Sequence, residues 1–393
     1  MNDTKIFLPD KYLDDTITSI VNKFSNSDVF NHIRVMPDCH GSAYCCVGLT
    51  SVITDKVVPQ IVGGDIGCGI SCYPLNKVIK EKHYKKIDET VKSIIPMGEK
   101  IHRNSIATDV VLNNIYDECN KKLVFLKSRF TDYPFNDFQY NQNYYQSLIK
   151  KLKSKINSAV FLRSLGTLGG GNHYVEFNQD LDGKCYLCVH SGSRAIGLAI
   201  CGYHQLKAKN NMKGKTLLEN YLEKHELVEY LIDMVFAQEF ASKNRELIIQ
   251  QICNEIGVDY DTKNLIETIH NYIDFDRLIL RKGAIAAEAG KKCIISLNMR
   301  DGVLLCKGKG NEDWNYSSAH GCGRMMSRAD AKKSFSMSQF KNSMKDVYST
   351  SVCKETLDES PMAYKDVELI KEYIGESVDI ITQLKPIINI KGY

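Results

Sequence analysis

An aspartate and a cysteine, Asp65 and Cys68, stand three residues apart in VGGDIGCGISCY (residues 62–73), with glycine on both sides of the pair. Glycine lacks the Cβ that restricts backbone torsions, so such a chain turns sharply and can aim a carboxylate and a thiolate at one point. That is one way to hold a metal ion. An isolated D-x-x-C is more often a tight turn with a packed thiol, because free cysteine behaves as a small hydrophobe. The pair takes its meaning from five histidines in short segments near Gly, Asn or Asp: His40 in MPDCHG, His173 in GGGNHYVE, His190 in VHSGSR, His270 in IHNY and His320 in AHGCGR. The remaining histidines sit in ordinary surroundings; His225 in EKHELVEY belongs to a charged, solvated helix face.

Carboxylate, thiolate and imidazole form a borderline-soft ligand set suited to Zn²⁺, Mn²⁺, Fe²⁺ or Co²⁺ rather than to Mg²⁺ or Ca²⁺ alone. These ligands exceed what one tetrahedral ion with an open position needs. Two adjacent ions bridged by a thiolate or a carboxylate are therefore expected, an arrangement that typically serves phosphoryl chemistry. Cys185 and Cys188 in CYLC imitate a C-x-x-C chelate, but residues i and i+3 of a strand point to opposite faces, so the pair is assigned to packing. No G-x-x-x-x-G-K-[ST] sequence exists, so LGTLGGGNH and GKGNED are not Walker A loops, although either could form a phosphate nest of backbone N–H groups.

The elements that must position these residues alternate along the chain. From Val35 to Tyr73, β-branched runs (VGLTSVI, KVVPQIV) broken by Gly and Pro predict short strands and tight loops. Residues 77–160 have helical apolar spacing and little chemistry. Gly-rich strand and loop patterns return from Phe161 to Gly197, followed by a long amphipathic helix over about 217–256. Strands are expected around Ile269, at CIISLNM and at GVLLCKG. The tail predicts a helix through YKDVELIKEYIGESVDIITQL and a short strand, IINIKGY.

The chain has 393 residues, 43% of them hydrophobic, enough for one large or two ordinary domains. No repeat or linker interrupts it, which favours a single catalytic domain over residues 1–393 with a helical, insertion-like segment at about 77–155. The N-terminus has no apolar leader-like region, and no uncharged apolar run approaches the roughly 18 residues of a membrane span. A cytoplasmic address without membrane contact is expected, and with it reduced thiols for the 14 cysteines. The net charge of +4 neither demands nor excludes nucleic acid, so any RNA contact must come from a local patch. Lys150, Lys151, Lys153 and Lys155 read as a solvated helix face. Arg324 and Arg328 carry more weight because they follow His320 in a Gly-rich loop.

The motifs MPDCH, GGDIGCG, LGTLGGGNHYVE, HSGSRAIG, HNY, LNMRDG, KGKGN, HGCGRMMSR, DESPMAYKD and a terminal IKG occur in this order, and the chain resembles the RtcB family of RNA ligases over roughly residues 31–393. The resemblance implies an α+β fold, with mixed and antiparallel sheets around a central metal cleft and helices at the periphery. It implies a GTP- and Mn²⁺-dependent ligase that joins RNA 3′-phosphate or 2′,3′-cyclic phosphate ends to 5′-hydroxyl ends in tRNA splicing or RNA repair, with an archease-like activator as a candidate partner. Carried over by motif, Asp65, Cys68, His173, His190 and His270 would hold two Mn²⁺, with Cys68 bridging, and His320 would be the nucleophile that becomes guanylylated. Asn172, Glu176, Asn298, Gly321, Gly323, Tyr364 and Lys391 would contact GTP, and Arg194, Arg324 and Arg328 would meet RNA phosphates, whose geometry suits a guanidinium fork.

The sequence departs from the family pattern in places. HGAGR becomes HGCGR, with Cys322 two residues from His320; Ser296 replaces a usual Pro; Val303 stands near the end of the nucleotide loop where a small hydroxyl residue is often found. GSAY follows MPDCH, and Gly64 replaces Ala or Val. None removes a ligand or the nucleophile. Two other readings use the same residues: a dinuclear-metal phosphoesterase acting on RNA ends, and a non-catalytic RNA-binding paralogue. Hydrolysis has no need of His320, Asn172, Glu176 and Lys391 together, and a paralogue has no need of an intact ligand set.

Overall fold

The computed structural model of the chain describes residues 3–42, 44–152 and 158–393. Lys153 and Lys155 of the basic cluster lie outside the described residues. Two sheets dominate. The first has five strands, β1 (Thr4–Ile6), β2 (Asn31–Gly41), β3 (Cys46–Val52), β11 (Ile279–Lys282) and β10 (Asn271–Asp274), in that spatial order. The second has seven: β13 (Lys292–Ser296), β14 (Val303–Gly308), β16 (Val378–Lys391), β6 (Tyr174–Gln179), β7 (Cys185–Ser191), β5 (Gly69–Leu75) and β9 (Ile266–Ile269). Two strand pairs, β4 (Lys56–Val57) with β8 (Leu222–Glu223) and β12 (Ala284–Ala286) with β15 (Ser317–Ala319), complete the set. Every pairing except β1 with β2 is antiparallel, and the fold is α+β as expected.

Alternation along the strands of the larger sheet separates two environments. Val175, Phe177, Leu187 and Val189 face a core shared with Ile248, Ile249 and Ile252 of the helix Lys224–Ile256. Tyr174, Tyr186 and Cys188 face the other way. Cys185 and Cys188 accordingly fall into different clusters, as their spacing required. Among the described residues, no strand falls between β5 and β6; that stretch contributes the helices Tyr84–Ile94, Asp109–Arg129 and Gln142–Leu152 at the periphery. No helix among the described residues is long and apolar enough to cross a membrane.

Several expected elements differ. The long helix starts at Lys224 rather than near 217, and from Tyr230 to Gln238 it is buried on every face. It is a central strut, not an amphipathic surface helix, because helix Asp109–Arg129 packs against one side and the larger sheet against another. Only Lys56–Val57 of KVVPQIV is strand; Pro59 opens a helical turn, where its fixed φ and missing N–H cost nothing. Phe161 and its neighbours belong to the helix Ser158–Ser164. In the tail the helix covers only Val367–Tyr373, and β16 takes the rest, since Val378–Gln383 is β-rich and pairs with β14. Lys151 is not simply solvated: its ammonium pairs with the buried Asp233, which also accepts from His204 Nε2 at 2.7 Å.

Candidate active site

Strand register assembles the predicted ligands. Strand β5 runs between β7 and β9, with Gly69 opposite Ser191 on one side and Ile269 on the other. Cys68, one residue earlier, therefore lies against His270, whose amide donates to the Cys68 carbonyl at 2.9 Å. His190 is the penultimate residue of β7 beside it, and His173 immediately precedes β6, the next strand. At His270 the chain passes from one sheet to the other: its carbonyl accepts from Gly283 at 2.7 Å. The expected strand around Ile269 is thus two strands, Ile266–Ile269 and Asn271–Asp274, broken at His270.

The side chains converge as the strands do. Cys68 Sγ is 3.2 Å from His190 Nε2 and 3.5 Å from His173 Nε2. His190 Nε2 is 3.4 Å from His270 Nε2, and His173 Nε2 is 3.0 Å from Asp65 Oδ2. Two three-residue sets result, Asp65–Cys68–His173 and Cys68–His190–His270, with ligand atoms within 4.8 Å of one another and Cys68 common to both. Close approach requires glycine here: a Cβ on Gly192 would come 1.9 Å from Asp65 Oδ1, and one on Gly69 would come 2.3 Å from the Thr268 carbonyl.

The donor chemistry fits a divalent ion. His173 Nδ1 meets the Leu168 carbonyl at 2.9 Å and His190 Nδ1 meets the Asn172 carbonyl at 3.1 Å. A carbonyl only accepts, so each Nδ1 carries the proton and each Nε2 turns a lone pair inward. Burial, reinforced by neighbouring imidazoles, pushes His190 and His270 well below the usual histidine range and keeps them neutral. Burial and then the Asp65 charge push the Cys68 thiol well up, so the thiolate needs a cation to form. Lone pairs facing one another in a buried space are what a metal ion satisfies.

Behind this centre, Asn244 and Arg245 of the strut helix are fully buried and hold the ligand loops by their backbone. Asn244 Oδ1 accepts from Gly166 and Thr167 amides at 2.7 and 3.1 Å, while Nδ2 donates to the Thr167 carbonyl, Ser191 Oγ and the Gly192 carbonyl. Arg245 donates to the Gly67 carbonyl at 2.8 Å and the Ser191 carbonyl at 2.7 Å, and pairs with Glu267. Nothing in SKNREL marks these residues by sequence, since the segment reads as a charged helix. Asn244→Ala is expected to weaken divalent-metal binding at this cluster by ~10–100-fold, the range typical of a lost outer partner. Metal titration of protein checked as folded by circular dichroism tests this; unchanged affinity would mean that the loops hold themselves.

His320 follows β15, its ring centroid 4.9 Å from that of His270. Asp38, fully buried, accepts from the amides of His320 and Gly321, both at 3.1 Å, through Oδ2. The same oxygen lies 2.5 Å from His320 Nδ1, although the ring is not turned into hydrogen-bonding alignment. The Asp38 carboxylate thus fixes the loop and sets a negative charge against the imidazole. Asp38 was not assigned a role from sequence, although MPDCH contains it. His40 of that motif is no ligand: Nδ1 donates to the Asp38 carbonyl at 3.1 Å, and burial lowers the imidazole to about 4.

A cleft of about 210 Å³ connects His190, His270 and His320 with the expected nucleotide residues Asn172, Glu176, Asn298, Gly321, Gly323, Tyr364 and Lys391. Burial pushes the Glu176 carboxyl up to about 7, against hydrogen bonds from Asn389 and Asn178. Asn298 braces its own loop, accepting from Arg300 and Asp301 amides. Glu359, within DESPMAYKD, is the residue that sequence reasoning missed on this wall. It accepts from Lys391 and Tyr364, each at 2.9 Å, and pairs with Arg324 and Arg328. Burial works against its charge, but Lys391 and then Arg328 outweigh that and hold the carboxyl at about 2. Arg324 and Arg328 line the cleft; Arg194 does not, donating instead to Thr167 Oγ1 and the Gly98 carbonyl, both at 3.1 Å.

The departures from the family pattern now have positions. Ser296 lines the cleft and its hydroxyl lies 2.8 Å from that of Tyr174. Cys322 is a buried lining residue, its thiol pushed up by burial. Val303 packs in the core of the larger sheet. At Gly64 a Cβ would come 2.7 Å from Leu198 Cδ1, so a leucine fills the space that the common Ala or Val would need.

The profile of a family described as tRNA-splicing ligase RtcB matches residues 20–392. The RNA-splicing ligase RtcB of Escherichia coli K12 is 28% identical over 408 residues, covering 96% of this chain and 94% of that protein. The tRNA-splicing ligase RtcB of Nanoarchaeum equitans is 25% identical over 461 residues, covering 99% and 95%. An RNA-splicing ligase RtcB homolog of Entamoeba dispar is 25% identical over 423 residues, covering 91% and 80%.

Proposed function

This chain belongs to the RtcB family of RNA ligases, and from that premise we propose that it joins RNA 3′-phosphate or 2′,3′-cyclic phosphate ends to 5′-hydroxyl ends, using GTP and two Mn²⁺. The observation that carries this reading is His320, backed by Asp38, in a cleft it shares with His190 and His270 of one ligand set and with Glu176 and Lys391. A hydrolase would need only the metals and water.

Asp65, Cys68 and His173 would hold one ion, and Cys68, His190 and His270 the other. When bound, the ions supply charge neutralisation and Lewis acidity at phosphate oxygens. His320 acts through its neutral imidazole. The ring nitrogen forms a bond to the GTP α-phosphorus as the bond to the bridging oxygen breaks, and pyrophosphate leaves with that electron pair. Asp38, beside Nδ1, stabilises the positive charge that the ring acquires. An oxygen of the RNA 3′-phosphate then displaces the imidazole and takes the GMP; a cyclic end is first opened by water. In the last step the 5′-hydroxyl attacks the RNA phosphorus, loses its proton, and GMP departs. Asn172, Asn298, Gly321 and Gly323 line the nucleotide side, where Glu176 is suited to accept guanine N–H groups, and Tyr364 and Lys391 extend the contact. Arg324 and Arg328 would exchange part of their pairing with Glu359 for RNA phosphate. Arg194 would meet the RNA outside the cleft. One domain and a cytoplasmic setting belong to the same proposal.

The test is covalent labelling. Incubation with α-labelled GTP and Mn²⁺ should yield label that survives denaturation but is lost in acid, and adding RNA with 3′-phosphate and 5′-hydroxyl ends should yield joined product. Absence of label, with an archease-like activator supplied, would overturn the ligase reading. Release of phosphate from RNA ends would then favour a phosphoesterase, and RNA binding without chemistry a non-catalytic paralogue.

A further inference from the structure

The backbone of His320 is held from both sheets. Its N–H donates to Asp38 of β2, and its carbonyl accepts at 2.9 Å from the amide of Ser296, the last residue of β13. Ser296 also forms a parallel bridge with Gly321, where a Cβ would come 2.5 Å from the Ser296 carbonyl oxygen, so the two backbones touch. The Ser296 side chain carries the connection further. Its hydroxyl lies 2.8 Å from that of Tyr174, and both residues line the cleft.

Tyr174 stands on β6, and β14 and β16 lie between β6 and β13 in the order of the sheet. The hydroxyl pair is therefore not a contact between neighbouring strands. It crosses the hollow of a curved sheet, whose outer strands β13 and β9 meet where the Ile294 amide donates to Thr268 Oγ1 at 3.0 Å. In register, Tyr174 stands between His190 of β7 and Lys391 of β16. Its ring meets that of His190 edge-on with centroids 5.3 Å apart, and the Lys391 ammonium lies 5.8 Å from its centroid. One hydrogen bond thus ties a strand with a metal ligand, and a strand with a nucleotide residue, to the loop of the nucleophile.

We propose that Ser296 and Tyr174 are positioning residues, whose hydroxyl pair latches the His320 loop to the wall that carries His190 and Lys391. The inference rests on the ligase reading for the step that is positioned. In-line attack on phosphorus tolerates little misplacement of the nucleophile. A loosened loop therefore slows transfer to His320 without weakening the binding of GTP.

Ser296→Ala and Tyr174→Phe each remove one hydroxyl and leave the backbone bond to His320; Ser296→Thr keeps the hydroxyl. With Mn²⁺-loaded protein, the initial rate of covalent labelling by α-labelled GTP is measured against GTP concentration in wild type, each variant and the Ala/Phe double variant. Each single removal is expected to slow labelling at saturating GTP by about twofold to tenfold, the worth of a neutral hydrogen bond, with half-saturating GTP unchanged. The double variant should be no slower than either single one, because the two hydroxyls act through one bond, and Ser296→Thr should recover most of the rate. Labelling at the wild-type rate, or effects that multiply in the double variant, would overturn the latch. So would a rise in half-saturating GTP alone, which would make the hydroxyls direct nucleotide contacts, or a loss of bound Mn²⁺, which would make them a brace for the metal centre. Hydrogen exchange of the segment around His320, read by mass spectrometry without GTP, should quicken by a similar factor in both single variants. Wild type that takes no label, with exchange quickened in the variants, fails the ligase reading and keeps the latch; unchanged exchange fails the latch whether or not label is taken.

Discussion

His320→Ala is expected to abolish acid-labile labelling by α-labelled GTP, below detection, while leaving bound Mn²⁺ unchanged. The distinction follows from geometry: His320 belongs to neither of the two ligand sets, yet its ring centroid lies 4.9 Å from that of His270. The other histidines lining the cleft are engaged elsewhere. His190 and His270 turn their nitrogens into the ligand cluster, and His40 is the product of a different constraint, its Nδ1 engaged by the Asp38 carbonyl. Asp38→Asn provides the graded companion. It retains an oxygen for the His320 and Gly321 amides but removes the charge 2.5 Å from Nδ1, so labelling should slow by roughly 10–100-fold, as for a lost charge-assisted contact. Label that persists in His320→Ala would move the nucleophile elsewhere and remove the main support for the ligase chemistry. Loss of metal together with label would reassign His320 as a ligand.

Cys68→Ala is expected to lose both metals and all activity together. Each ligand set shares only this residue with the other, so its removal leaves two donors in each, His190 with His270 and Asp65 with His173. It also removes the only thiolate donor from either set. The expected fall in Mn²⁺ affinity exceeds the ~100-fold that an outer partner alone can cost. His270→Ala is the control: it depletes one set, so one ion per chain should remain measurable by metal analysis after desalting. Full occupancy in Cys68→Ala would refute the bridging assignment. The fold itself should survive, because the strands on either side of Cys68 are paired by β5 with β7 and β9, and a thiol in that position contributes little packing.

Glu359 shows how a site can be pre-shaped by a residue whose part only the fold makes visible. It gathers Lys391, Tyr364, Arg324 and Arg328, and its carboxyl stays charged down to about 2 because those cations outweigh burial. Its charge therefore contributes stability that is present above the ordinary carboxylate range and lost as pH falls toward that value. Across the pH range in which a ligase would work, the wall carries a fixed anion. Any phosphate bound in the cleft would compete with it for the arginines.

Much of this molecule was decided locally. The Gly-flanked Asp65 and Cys68, and histidines beside Gly and Asn, announce a ligand set because metal geometry demands particular donors on turns that only glycine permits; five such donors converge as their spacing suggested. Cys185 and Cys188 were separable by strand alternation alone. The tail helix stops at Tyr373, short of its expected end, and the long helix is not amphipathic where it is buried, because pairing with β14 and burial on all sides are properties of neighbours rather than of a window of sequence. The same reason explains the unseen partners. Asp38 meets His320 across 282 positions, and Arg245 reaches the Gly67 carbonyl across 178; hydrogen bonds between such distant segments leave no periodic trace in either. Chemistry that depends on residue type can be read from the chain, whereas which carboxylate stands against His320 is decided only once distant segments pack together.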